Sequence, residues 1–261
     1  MLGPYPGGEL QMKYLSSTIF LLLVCGLAVA GASPAEDMIQ TDQGPAMIYP
    51  IEHATFVIVW AGKTIVVDPV GGGDRFAEYG TPDLILITDI HGDHFSLSTI
   101  AGLMVQKTAG VAPADIVQRF PEPQRRRVWT LANGQSREWG DSLIEAVAMY
   151  NLDPERAEFH PKGRGNGYVL TLGGTRIYIS GDTEDIPEMR ALEDIDAAFV
   201  CMNLPYTMDA KAAASAVLEF QPKIVYPYHY RGSEEMSDLK KFRKMVKKND
   251  AIEVRLLEWY P

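Results

Sequence analysis

The chain has 261 residues, 46% of them hydrophobic and 22% charged, with a formal net charge of −10. That length and apolar fraction can bury a substantial core, and nothing in the composition signals disorder, a collagen-like repeat or a disulfide scaffold. The acidic balance excludes a protein that holds nucleic acid through phosphate contacts, which needs a basic surface.

Chain order begins with a targeting signal. Lys13 is followed by "YLSSTIFLLLVCGLAVAGAS", an apolar run that ends in small residues. Ala28-Val29-Ala30 and Ala30-Gly31-Ala32 both match the A-x-A pattern of a signal-peptidase site. Residues 1–30 therefore read as a signal peptide, with export to the periplasm as the expectation. An uncleaved membrane anchor is the alternative, although about sixteen apolar residues are short for a span. Val24 ahead of Cys25 argues against a lipoprotein. Cleavage would leave Cys201 without a partner, so no internal disulfide is expected. Cys201 lies in the apolar run "AAFVCMN" and reads as a buried small hydrophobe, not a nucleophile.

Residues 31–44 read as a polar linker, and 45–261 as the folded domain. Strand signals open that domain: "AMIYPI", "TFVIVWA" and "KTIVVDP", the last two joined at Gly62. "PDLILITD" is a continuous apolar run, consistent with a buried strand. A helix-compatible region from 97 to 120 follows, interrupted by "TAGVAP". Residues 127–151 alternate like two or three strands. In "YVLTLGGTRIYISGD" two β-rich runs flank Gly173-Gly174, a favoured hairpin turn. Helical segments near 186–192 and 209–219 then alternate with "AAFVCMN" and "KIVYPYH". A last helix over about 234–248 and the strand "AIEVRLLEW" close the chain. This order predicts an α/β domain with helices packed outside a sheet core. The basic run "KKFRKMVKK" fits an ordinary surface helix, because Leu239, Phe242 and Val246 share one face.

The chemistry concentrates in "DIHGDH", directly after the buried strand. Asp89, His91, Asp93 and His94 place four potential metal ligands within six positions, in a chain with five histidines. Ligands two apart at a strand end point to the same side, so Asp89, His91 and Asp93 can face one point, and His94 a second point beside it. Mixed carboxylate and imidazole donors suit zinc, manganese or iron, whereas calcium wants mostly oxygens. The other donors also follow or precede strand-like runs: Asp182 in "YISGDTED", His229 in "VYPYHYRG", His160 in "EFHPKGRGNGYVL" and His53 at the start of "HATFVIVW". Strand ends converging on one pocket would bring them together. No G-x-S-x-G elbow is present. "GGGDR" lacks the lysine of a phosphate loop. "GRGNG" is a loop before a strand.

On these residues the chain resembles the metallo-β-lactamase superfamily, whose mark is H-x-H-x-D-H after a buried strand. More narrowly it is similar to the branch containing ascorbate-phosphate lactonase and the phospholipase-D-type enzymes acting on N-acyl-phosphatidylethanolamine, through "EHATFVIVWAGKTIVVDP". The resemblance runs from about residue 47 to the end. It implies an αββα sandwich with a two-metal site on its edge. Asp89 and His91 would serve the first metal, Asp93, His94 and His229 the second, and Asp182 would bridge them.

Two departures from the family pattern stand out. Asp89 occupies the place of the first histidine, and a carboxylate there shifts preference toward manganese or iron. The third ligand of the first site normally follows the strand ending at "AMYN", where Tyr150-Asn151 stand. His160 is the favoured substitute, with Asn151 or His53 as alternatives. His53 is also a candidate proton donor to the substrate. Tyr206, Tyr228 and Tyr230 flank the motifs, either lining the pocket or simply packing.

The expected activity is hydrolysis of an ester, lactone or phosphodiester. Two divalent ions, Zn2+ or Mn2+ with Fe2+ possible, would share a hydroxide as nucleophile, with Asp93 orienting it and accepting the proton that the water gives up. The partner is a small or lipid-like substrate, with no nucleic acid and no requirement for membrane contact. The competing readings are an iron-dependent redox protein of the same fold and a non-catalytic metal-binding module.

Overall fold

The structure, a computed structural model, describes residues 1–3 and 36–260. Most of the signal-peptide reading lies outside the described residues, and the architecture below is that of the unit beginning at Ser33. Among the described residues no helix is long and apolar enough to cross a membrane.

Two seven-stranded sheets carry the fold, and each follows chain order. The first contains β1 (Asp37–Thr41), β2 (Gly44–Glu52), β3 (Thr55–Trp60), β4 (Lys63–Val67), β5 (Leu84–Leu86), β6 (Ala109–Ala112) and β7 (Val128–Thr130). The second contains β8 (Ser136–Trp139), β9 (Ser142–Met149), β10 (Gly165–Leu172), β11 (Thr175–Ile179), β12 (Ala197–Cys201), β13 (Ile224–Tyr228) and β14 (Glu253–Val254). Both sheets start as antiparallel hairpins and finish parallel, switching at β4 in one and β11 in the other.

Side-chain alternation explains the layering. In β3, Phe56, Ile58 and Trp60 enter the core shared with the second sheet, while Val57 points the other way. In β5, Leu84 and Leu86 face inward and Ile85 outward. A strand covered on both faces must be apolar throughout, which is why this run lacks polar alternation. At the centre Phe56 stacks on Phe199 with centroids 4.5 Å apart, and Phe199 stacks on Tyr226 at 4.8 Å. Of the helices α1 (Leu97–Leu103), α2 (Ala114–Val117) and α3 (Glu122–Arg125), the first two bury Ile100 and Ile116 in the outer cluster of the first sheet. After α4 (Pro187–Arg190), the helices α5 (Ala210–Phe220) and α6 (Leu239–Val246) contribute Val217 and Phe242 to the larger core. Helices outside two facing sheets make the expected αββα sandwich.

Several boundaries differ from the sequence reading, among them the closing strand, which spans only Glu253–Val254 of "AIEVRLLEW". Residues 37–44, read as linker, form β1 and its turn into β2. Ile39 is the one fully buried side chain of β1, and Trp60 Nε1 donates to Thr41 Oγ1 at 2.9 Å. One buried residue in five leaves too little alternation to show as a strand. "TAGVAP", read as a break in helix, supplies β6, whose small residues fit between β5 and β7. The last helix begins at Leu239, five residues later than expected, because the Asp238 side chain caps it by accepting from Lys241 N. The turn at Gly173-Gly174 is as expected, with φ of 49° and 77° matching the left-handed pair such hairpins require.

Candidate metal centre

Strand direction delivers the donors to one edge. β4 and β5 are parallel, so Asp68 after β4 and the stretch Thr88–His94 after β5 emerge together. β11, β12 and β13 are parallel as well, and their ends carry Asp182, Asn203 and His229. β3 and β10 run antiparallel to neighbours in these sets, so the residues before them, His53 and then His160 with Arg164, lie at the same edge. Asn166 N donates to Thr88 O at 3.0 Å and ties the two sheets together there.

All seven residues read as ligands converge. Asp89, His91 and His160 form one group whose ligand atoms lie within 4.8 Å of one another, and His94, Asp182 and His229 form a second. Asp182 spans the two: its Oδ2 is 3.3 Å from both His94 Nε2 and His160 Nε2, and its Oδ1 is 3.4 Å from His229 Nε2. Asp93 Oδ2 lies 3.3 Å from His229 Nε2. His160 reaches the place expected of a residue just after β9 because its loop doubles back, and Asn151 N donates to His160 O at 2.9 Å. Asn151 Nδ2 donates to the carbonyls of Arg156 and Tyr206, while its Oδ1 is buried without a hydrogen-bond partner. His53 groups with Asp93 and His229 and borders the same cavity.

That cavity, about 420 Å³, is also lined by Phe159, Asn203, Tyr206, Arg231 and Ser233. Of the three tyrosines, only Tyr206 lines it. Tyr228 is fully buried, its hydroxyl accepting from Gly181 N at 2.9 Å, and Tyr230 packs edge-on against Tyr260. Cys201 is buried, as expected, and burial pushes its thiol up to about 12.

Two charged residues of the centre went unread in the sequence. Asp68, fully buried, takes His94 Nδ1 at 2.8 Å and also accepts from Thr88 N and Thr88 Oγ1. A carboxylate on one imidazole nitrogen fixes the ring and leaves the other nitrogen free as a ligand. An acidic residue closing the apolar run "KTIVVDP" was the available signal. Arg164 sets Nη2 3.1 Å from Asp89 Oδ2 and 3.3 Å from His91 Nε2. Backbone conformation marks the site too: His53, Asp68 and His229 have φ of 51°, 45° and 45°. Each such non-glycine residue costs roughly 1–3 kcal/mol, strain that gathers at functional sites.

Burial and neighbouring charge set the protonation of the metal-free centre. Burial alone would raise the Asp182 carboxyl, but His229 and His94 hold it well below the usual carboxylate range. Burial alone would depress His229, yet Asp182 and Asp93 lift it to about 9. His91 and His53 are both lowered, chiefly by burial.

The donors fit a metal. His160 is buried with neither ring nitrogen in a hydrogen bond, and Asp182 Oδ1 is likewise buried without a hydrogen-bond donor. Such atoms cost free energy unless another partner satisfies them, and imidazole and carboxylate are the usual donors to divalent transition ions.

A family model described as a beta-lactamase superfamily domain matches residues 47–229, a span that includes every residue of both groups. The chain belongs to the metallo-β-lactamase superfamily. A UPF0173 metal-dependent hydrolase of Thermococcus onnurineus is 32% identical over 219 residues, covering 79% of this chain and 93% of the relative. A protein of Parabacteroides distasonis, named provisionally as a metal-dependent hydrolase, has a crystal structure that aligns with a TM-score of 0.74 at 36% identity, covering 86% of this chain and 99% of that one. CmlA, a diiron β-hydroxylase from Streptomyces venezuelae, shares the superfamily fold alone, at 17% identity and a TM-score of 0.60 over 86% of this chain and 53% of its own.

Proposed function

We propose that this chain is a hydrolase that cleaves an ester, lactone or phosphodiester bond, using two divalent cations, Zn2+ or Mn2+, at the edge of the sandwich. The observation that carries the reading is Asp182: one carboxylate within 3.3–3.4 Å of imidazole nitrogens from both ligand groups. The names of the Thermococcus and Parabacteroides relatives support the same class. Asp89, His91 and His160 would hold one ion and Asp93, His94 and His229 the other, with Asp182 shared. Bound there, such ions lower the pKa of a water to about 7 and offset negative charge building on the attacked group.

The chain's own residues supply the remainder. Asp68 and Thr88 fix the His94 ring so that Nε2 faces inward. Asp93 keeps a carboxylate toward the cavity, its pKa held far below the ordinary range by His229 and His94 against the opposing effect of burial. It orients the attacking water and accepts its proton at Oδ1, the oxygen not turned to His229. His53, neutral at pH 7 because burial lowers its pKa, offers a ring N–H as a hydrogen bond to the leaving group, which takes the proton collected by Asp93. Phe159 and Tyr206, edge to face at 5.6 Å, give the cavity an apolar wall suited to a small or lipid-like substrate. Export to the periplasm belongs to the same reading, supported by the apolar run after Lys13 and its A-x-A sites.

The test is metal analysis of protein purified without chelator, followed by a screen of aryl esters, lactones and bis(p-nitrophenyl) phosphate with added Mn2+ or Zn2+. Two ions per chain with turnover, both lost in Asp182→Ala, is the expected result. Iron with a visible absorption band would favour redox chemistry instead, and full activity in Asp182→Ala would end the two-ion reading.

A further inference from the structure

The two ligand groups differ in one respect: a guanidinium is already attached to one of them. Arg164 Nη2 lies 3.1 and 3.3 Å from the two oxygens of Asp89, 3.3 Å from His91 Nε2, and also donates to Phe159 O. Asp89 is fully buried and makes no comparable contact with any other cationic side chain among the described residues. An arginine Nη2 carries two hydrogens, and here four acceptor atoms surround it. The nitrogen therefore cannot satisfy them all. In the other group, His94, His229, Asp93 and Asp182 have no arginine or lysine within ion-pair distance among the described residues.

We propose that Arg164 acts as a resident cation of the Asp89–His91–His160 group and makes it the weaker of two unequal metal sites. The inference rests on the two-ion reading above and concerns how the sites fill. A divalent ion entering beside His94 and His229 meets two carboxylates, Asp93 and Asp182, and imidazoles that give up their protons as they ligate, so no cation has to stay beside it. An ion entering beside Asp89 must compete with the guanidinium for that carboxylate and remain next to it afterwards. Like charges that close repel, and burial limits solvent screening. The carboxylate of Asp89 and the charge of Arg164 thus form a neutral pair, and the pair loads second. Because Arg164 also holds the carbonyl of Phe159, next to His160, displacing it releases the loop that carries the third donor. Arg164 is a positioning residue, one that touches ligands and not the reacting bond.

Equilibrium dialysis of chelator-treated protein against Mn2+ reads this directly, without any substrate. The wild type should show two classes of site, the second at least tenfold weaker. Arg164→Gln should tighten the weak class at least tenfold and leave the strong class within twofold. Arg164→Lys, which keeps the charge, should stay near the wild type. An unchanged weak class in Arg164→Gln, or two equally tight sites in the wild type, would overturn the proposal while leaving the hydrolase reading intact; no ion bound at all would sink both. Since the Gln variant removes a buried ion pair, a wild-type measurement stands beside it. One equivalent of Zn2+ should move the ring 15N resonances of His94 and His229 and leave those of His91 and His160 in place. Movement of all four together would refute unequal filling.

Discussion

Replacing Asp68 with Asn tests whether the buried carboxylate behind His94 governs the ring's tautomer. Asp68 Oδ1 accepts from Thr88 N at 2.7 Å, while Oδ2 faces His94 Nδ1 at 2.8 Å and Thr88 Oγ1 at 2.5 Å. An asparagine has one acceptor oxygen, and the Thr88 amide claims it. Its NH2 must then face His94 Nδ1, so Nδ1 becomes the acceptor and the ring proton moves to Nε2. Nε2 is the atom 3.3 Å from Asp182 Oδ2, and a protonated nitrogen cannot ligate. The opposite amide orientation sets NH2 against the Thr88 N–H and fares no better. Losing such an orienting partner typically lowers metal affinity about 10–100-fold, or about 1.4–2.7 kcal/mol. Competition against a chromophoric chelator, with circular dichroism to confirm folding, measures the change. Affinity within twofold of the wild type in a folded Asp68→Asn protein would refute the reasoning.

Two further outcomes follow from the same structure. His229, lifted from the ordinary 6.5 to about 9 by Asp182 and Asp93 against the effect of burial, stabilises the metal-free protein fully below pH 6.5 and loses that contribution as pH rises through 9. The urea midpoint of the metal-free form should fall over that window. Ion affinity should rise about tenfold per pH unit for the proton displaced; parallel or flat profiles would contradict the assignment. In the core, Phe199→Ala removes a ring stacked between Phe56 and Tyr226 and should cost about 3–5 kcal/mol in urea unfolding of the metal-free protein, with a loss below 1 kcal/mol refuting its central place.

What could be read in the sequence was whatever local spacing records. β5 announced itself as an unbroken apolar run, and the cluster after it declared Asp89, His91 and Asp93 as ligands because residues two apart share a side, with His94 beside them. Asp182 and His229 were legible as donors at strand ends. Asp68 and Arg164 were not, because their partners lie 26 and 75 residues away and no local pattern encodes such contacts. His160 fell between these cases. Its residue type suggested a ligand, but only the backbone hydrogen bond from Asn151 shows the loop returning it to the end of β9. β1 escaped notice because an edge strand with one buried side chain looks like any polar segment.

The donors are divided between the layers. Asp89, His91, Asp93 and His94 hang from the first sheet, whereas His160, Asp182 and His229 hang from the second. A cation gripped by both sets would be a rivet through the rim of the sandwich. The layers could not part without shedding it, so ion release would set the pace of unfolding. A chelator would then shorten the lifetime of the native state while leaving every apolar contact of the interior untouched.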